Sequence, residues 1–245
     1  MANFDLSIPR SWGGLGTHLR GHLLLFDKRP ALSWETSTGT RLLLIAVFVE
    51  VIRLFLARLS PEPPLLVLVF LVLACALLLV RFGARLKLSR LGLVPWREWH
   101  PVEKSYFVQL LIIANVVFPL VFANQRRLIP AHYSVRSMVW NVFVPYLFFG
   151  FYQEVIYRGI LQSELVRRWG ALVGTLAANV FYTFGPLHWY YFSERASLAV
   201  PMFAAIFAIG FFFGVLFRRS GNLWIVAIIH GIGNAYIVAS VSLAR

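Results

Sequence analysis

Long apolar runs broken by short basic connections set the pattern of this chain. Seven runs, at residues 42–59, 65–80, 106–123, 138–158, 172–192, 199–217 and 222–241, approach or reach bilayer length, for which a helix needs roughly 17–25 residues. In lipid the backbone must satisfy its own hydrogen bonds, so these runs predict helices. The expected fold is all-α, a polytopic membrane bundle of about seven (six to eight) transmembrane helices. The second run, caught between Pro64 and Arg81, is short and asks for a local thinning of the bilayer or an unusual tilt. The first 40 residues contain no apolar stretch long enough for a signal-peptide core. Residues 1–41 therefore read as a cytoplasmic lead-in, and residues 42–137 as N-terminal helices with a basic interfacial segment. That segment, LKLSRLGLVPWREWH at 86–100, suits the headgroup layer; an ordinary basic loop is the other reading.

Composition agrees. The chain of 245 residues is 59% hydrophobic and 13% charged, where an ordinary soluble domain is roughly 45–50% apolar and about 25% charged. The net charge of +13 would suggest nucleic acid in a soluble protein. Here the cations sit between apolar runs, so the expected partners are membrane lipids and not nucleic acid. With the N-terminus in the cytoplasm, sixteen of the 23 Lys and Arg residues face inward, six face outward, and Arg53 falls within the first run; that asymmetry favours N-inside. The single cysteine, Cys75, lies in an apolar run and excludes intramolecular disulfides and CxxC motifs.

Ionisable residues at membrane depth are costly and mark candidate sites. They are few: Glu50 and Arg53 in the first run, Glu154 and Arg158 in the fourth, His188 in the fifth and His230 in the seventh. Glu154 and Arg158 stand four apart, on one helix face with the acid N-terminal to the base. An internal ion pair and a functional site both fit that spacing. The fourth helix continues to a turn at Gly170, from which Glu154 lies about 16 residues back and His188 about 18 forward; at about 1.5 Å per residue in an antiparallel pair the two reach similar depth. Gly185 and Pro186 loosen the helix just before His188. His230 and Asn234, one turn apart in HGIGN, point the same way, while Gly231 and Gly233 leave room for another backbone. Glu50 and Arg53, three apart, read as a structural pair. GALVG and GFFFG are small-residue patterns for close helix packing.

Three polar clusters in order, QExxxR, FxxxH and HxxxN, resemble the pattern EExxxR, FxxxH, HxxxN/B of the CPBP family, the CAAX prenyl protease type II and bacteriocin-processing proteins, also called Abi. The resemblance covers residues 138–241 and implies a peptidase core there, with a helical bundle enclosing a cavity open to the cytoplasm. In that family the first glutamate and the FxxxH histidine, which here fall at position 153 and at His188, activate a water; the resemblance further implies that His230 and Asn234 stabilise the oxyanion and that Glu154, Arg158 and Phe184 are motif residues. Gln153 stands where the family has its first glutamate. A neutral amide cannot take a proton from water, so Gln153, with Phe184, is left to orient substrate or water. Glu154 as base in a variant site, a non-catalytic relative, and an engineered change at 153 all remain open.

Competing chemistries fit poorly. Both aspartates, Asp5 and Asp27, lie in the lead-in, no GxS serine motif occurs, and HExxH is missing. Zinc held by Glu154, His188 and His230 is possible in principle, but the expected reaction needs no cofactor. The expected substrate is a membrane-associated or C-terminally processed protein, whether or not it is lipid-modified. An immunity or scaffold protein, or a transporter, is the alternative; a transporter would show internal repeats, and none is visible.

Overall fold

The computed structural model describes residues 40–59, 65–99, 101–121, 134–188 and 199–242. The expected lead-in thus lies outside the described residues up to position 39, as do the ends of the third and fifth expected runs. Seven helices follow in order: α1 Arg41–Leu59, α2 Leu65–Gly83, α3 Pro101–Val121, α4 at 135–169, α5 Ala171–Phe184, α6 Ala199–Ser220 and α7 Leu223–Ser242. No strand occurs among the described residues.

Three of them are long and apolar enough to cross a membrane: Leu65–Gly83, Glu103–Leu120 within α3, and Ala199–Ser220. Ala171–Phe184 and Leu223–Tyr236 are apolar but shorter. Large apolar side chains cover the outside, among them Phe48, Phe70, Ile112, Leu120 and Phe181, while Glu154, Arg158, Gln162 and Asn179 are buried. Water would oppose that arrangement and lipid favours it; this is an integral membrane protein.

The central helix is α4. Ser134 opens it by accepting the Ser137 amide at 3.1 Å, an N-cap that satisfies one of the orphan donors of the first turn. Pro145 lacks the amide that would close the ladder, and the helix widens to i→i+5 hydrogen bonding over Val139–Phe143 just before it. A second widened stretch, Val155–Gln162, begins right after Glu154. Gly170, at φ +77°, ends the helix, and no other residue takes that turn without strain. The α5 helix stops at Phe184, and residues 185–188 form a turn in which the His188 amide bonds Gly185 O at 3.1 Å. The fifth expected run, 172–192, is therefore cut short as a helix, because Pro186 supplies no amide to continue it.

Close packing puts α7 against α4. A Cβ on Gly150 would lie 2.4 Å from the Gly231 nitrogen, so the two backbones touch there as small residues allow. Gly231 meets the Leu147 backbone, as expected, whereas Gly233 faces only the Phe118 ring. Asn222 caps α7 by accepting the Trp224 amide at 3.1 Å. The segment between α2 and α3 docks on this end of the bundle: the Leu223 amide bonds Gly92 O at 2.9 Å, and Leu91 is buried.

Candidate active site

The polar residues of α4, α5 and α7 converge inside the bundle. Glu154 is fully buried, and its Oε1 accepts from His230 Nδ1 at 2.6 Å across the α4–α7 contact. Arg158 Nε stands 3.3 Å from Oε2, an ion pair that lacks hydrogen-bond geometry, so Glu154 Oε2 and Arg158 Nη1 are buried atoms with no hydrogen-bond partner. Next along α4, Gln153 turns about 100° away from Glu154 and meets α7 one turn further on: Asn234 Nδ2 donates to Gln153 Oε1 at 3.0 Å.

The widened backbone after Glu154 carries two further side chains to α6. Arg158 Nη2 donates to Gly210 O and Gln162 Nε2 to Gly214 O, each at 2.8 Å. The two donors and the two acceptors are both four residues apart, so parallel helices are clamped in register. That is the use of GFFFG: with a Cβ, Gly210 would sit 2.3 Å from Asn179 Oδ1.

His188 reaches the cluster from the turn after α5. Its Nδ1 lies 2.8 Å from Tyr182 O; a carbonyl only accepts, so Nδ1 carries the proton and Nε2 is the acceptor atom of the ring. His230 Nδ1 likewise donates to Glu154, and its Nε2 lies 3.3 Å from the Tyr182 hydroxyl. The Tyr182 ring also covers the Arg158 guanidinium at 4.0 Å and meets the His188 ring edge-on at 4.8 Å.

Glu154, Arg158, His188, His230, Gln153 and Asn234 are thus brought together. Phe184 is not: it is 52% exposed and stacks on Phe203 of α6 at 4.8 Å. Two positions past Tyr182, about 200° around the helix, it looks outward, which corrects its expected place beside the reacting groups. Sequence reasoning missed Tyr182, Gln162 and Asn179. For Tyr182 and Asn179 the signal was a polar stripe at helical spacing, Thr175, Asn179, Tyr182 and Thr183, all buried on one face of α5; for Gln162 it was the place one turn beyond Arg158 on α4. The Glu50–Arg53 pair lies apart from the cluster: Arg53 donates to Glu50 Oε2 at 2.9 and 3.0 Å, and Glu50 accepts the Tyr152 hydroxyl, tying α1 to α4. Among the described residues no three His, Cys, Asp or Glu side chains gather closely enough to hold a metal ion.

Comparison with known families matches residues 135–236 to the type II CAAX prenyl endopeptidases, Rce1-like. No curated protein and no solved structure matches the chain. The matched stretch contains every residue of the cluster and agrees with the CPBP motifs. Residues 135–236 of this chain are therefore similar to the Rce1-like type II CAAX prenyl endopeptidases, a family of proteases.

Proposed function

We propose that the protein is a multi-pass intramembrane endopeptidase that hydrolyses a peptide bond of a membrane-associated or C-terminally processed protein. In this reading seven helices cross the bilayer, the N-terminus is cytoplasmic, and residues 138–241 are the catalytic core, with a cavity that opens to the cytoplasm.

One observation carries the chemistry: Glu154 Oε2 and Arg158 Nη1 are neighbouring buried polar groups without hydrogen-bond partners. Buried acceptors and donors of this kind are commonly satisfied by water, and a water bridging them has a carboxylate oxygen to take its proton. Glu154 is the general base. His188 offers Nε2 to the same water, and Arg158 balances the charge of the carboxylate. The attacking oxygen forms a bond to the scissile carbonyl carbon; the carbonyl oxygen becomes negative and is met by the second Nδ2 hydrogen of Asn234 and by His230 in its imidazolium form, in which Nε2 also carries a proton. Collapse of that adduct breaks the C–N bond, and the proton held on Glu154 passes to the departing amine. A donor placed for the oxyanion typically contributes about 10²–10³ in rate. Gln153 orients Asn234 through their shared hydrogen bond. The reaction uses protein groups alone, with no cofactor, and acts on a peptide or protein partner.

Cleavage of a CAAX-type peptide, prenylated and unprenylated, tests the assignment. The parent should cleave, Glu154→Gln should abolish turnover with the fold retained, and Gln153→Ala should cost much less. A second reading, a non-catalytic relative that binds such proteins, is favoured by the amide at position 153. An inert parent that still binds the peptide supports it, and an inert parent switched on by Gln153→Glu makes residue 153 the base position instead.

A further inference from the structure

We infer that the turn closing α2 is a binding site for the headgroup of an anionic phospholipid, gripped by Arg81, Arg85 and Lys87. In the proposed topology this location is a membrane boundary, since α2 leaves and α3 re-enters through two helices that are long and apolar enough to span. Phe82, 69% exposed at the last turn of α2, marks that boundary with a large apolar side chain. The Arg81 guanidinium lies 5.8 Å from its ring.

Backbone geometry gathers the cations. The Ala84 amide bonds Leu79 O at 2.9 Å and the Leu86 amide bonds Val80 O at 3.1 Å, which ends α2 in a tight turn, so that Arg81, Arg85 and Lys87 all leave the chain at that turn. All three are exposed, and none forms an ion pair among the described residues. At the same end of the bundle Arg167 and Arg168 are neutralised differently, by the buried Glu164 at 2.5 and 2.7 Å.

Arg85 adds an independent sign. At φ 57° it is the one non-glycine residue with positive φ among the described residues, a left-handed conformation that disfavours any residue with a Cβ and that glycine adopts freely. Gly83, two positions earlier, does not use that freedom. Strain retained by a charged residue where glycine would relieve it points to the side chain being needed. A lipid phosphate lies at the depth where α2 ends, and its acyl chains can run along the exposed apolar face of the helix. Near an anionic surface each Lys or Arg raises local lipid partition about five-fold, so three together select strongly for anionic over zwitterionic lipid.

The test is native mass spectrometry of the full chain purified in an equimolar mixture of phosphatidylglycerol and phosphatidylcholine. The parent should retain phosphatidylglycerol preferentially, and Arg81→Gln/Arg85→Gln/Lys87→Gln should lose that preference by at least ten-fold. Arg136→Gln, at the far end of the bundle, should keep it. Arg85→Gly should weaken the preference several-fold while its melting temperature holds or rises, which separates lipid binding from a structural role. Should the triple variant not fold, the parent alone decides: its preference must fall steeply as salt rises from about 0.05 to about 0.5 M. Preference that survives the triple variant or the salt, full preference in Arg85→Gly, or loss of bound lipid to millimolar inorganic phosphate would each overturn the proposal.

Discussion

Tyr182 touches the largest share of the buried cluster: its carbonyl holds His188, its hydroxyl reaches His230, and its ring lies on Arg158. By accepting one histidine proton and facing the other ring nitrogen, it helps define which nitrogen of each histidine is available. Tyr182→Phe keeps the ring and the carbonyl and removes one hydrogen bond, commonly about 0.5–1.5 kcal/mol. The expected outcome is kcat lowered by about ten-fold at nearly constant KM, with thermal unfolding little changed. A kcat equal to the parent's would remove the hydroxyl from the mechanism. Arg158 behaves differently because it is fully buried and bridges Glu154 to Gly210 O. Arg158→Leu leaves a buried carboxylate without its cation and should destabilise the fold by about 3–5 kcal/mol, read as a lowered unfolding midpoint in detergent. Arg158→Lys should rescue this only partly, since a single ammonium cannot present two separated donors as the guanidinium does.

Between elements, the determining contact is backbone against backbone. At Gly150 an added Cβ meets the Gly231 nitrogen at 2.4 Å, and no flexible side chain is there to yield. Gly150→Ala should therefore push α7 from α4 and stretch the Glu154–His230 and Gln153–Asn234 bonds together, costing about 1–3 kcal/mol by overpacking and most of the activity. Gly83→Ala makes the matched control, since its Cβ would meet only a leucine methyl at 3.9 Å. Circular dichroism melts of the two variants, beside their cleavage rates, check the contrast. The element boundaries follow the same logic. Helix starts and stops were legible where a local group decides them, as at Gly170, but the widening after Glu154 was not. It answers to acceptors on another helix, Gly210 and Gly214, that the local sequence does not contain.

At the scale of the whole molecule, a buried polar cluster lies within an otherwise apolar core, large apolar side chains also cover the outside of the described helices, and the sequence places most of its cations between the apolar runs. The proposed orientation predicts that in a Cys75→Ser background Arg97→Cys is labelled by an impermeant thiol reagent from the cytoplasmic side and Arg136→Cys from the opposite side; labelling of both from one side would break the seven-span topology. Cleavage should also survive serine reagents, thiol reagents and chelators, because no such group serves the proposed site. The sequence by itself determined that the chain is helical and membrane-embedded, since the length of an apolar run and the position of its cations are local properties that lipid and water read directly. It also determined which residues to suspect, because an ion in hydrocarbon needs a partner wherever it sits. Only the tertiary structure decided who the partners are. Glu154 meets His230 across 76 positions of chain, Gln153 meets Asn234, Phe184 turns outward, and Tyr182 takes the interior place. Those choices depend on how closely α4, α5 and α7 approach and on the angle at which each presents its face, quantities set by the packing of glycines against distant backbone.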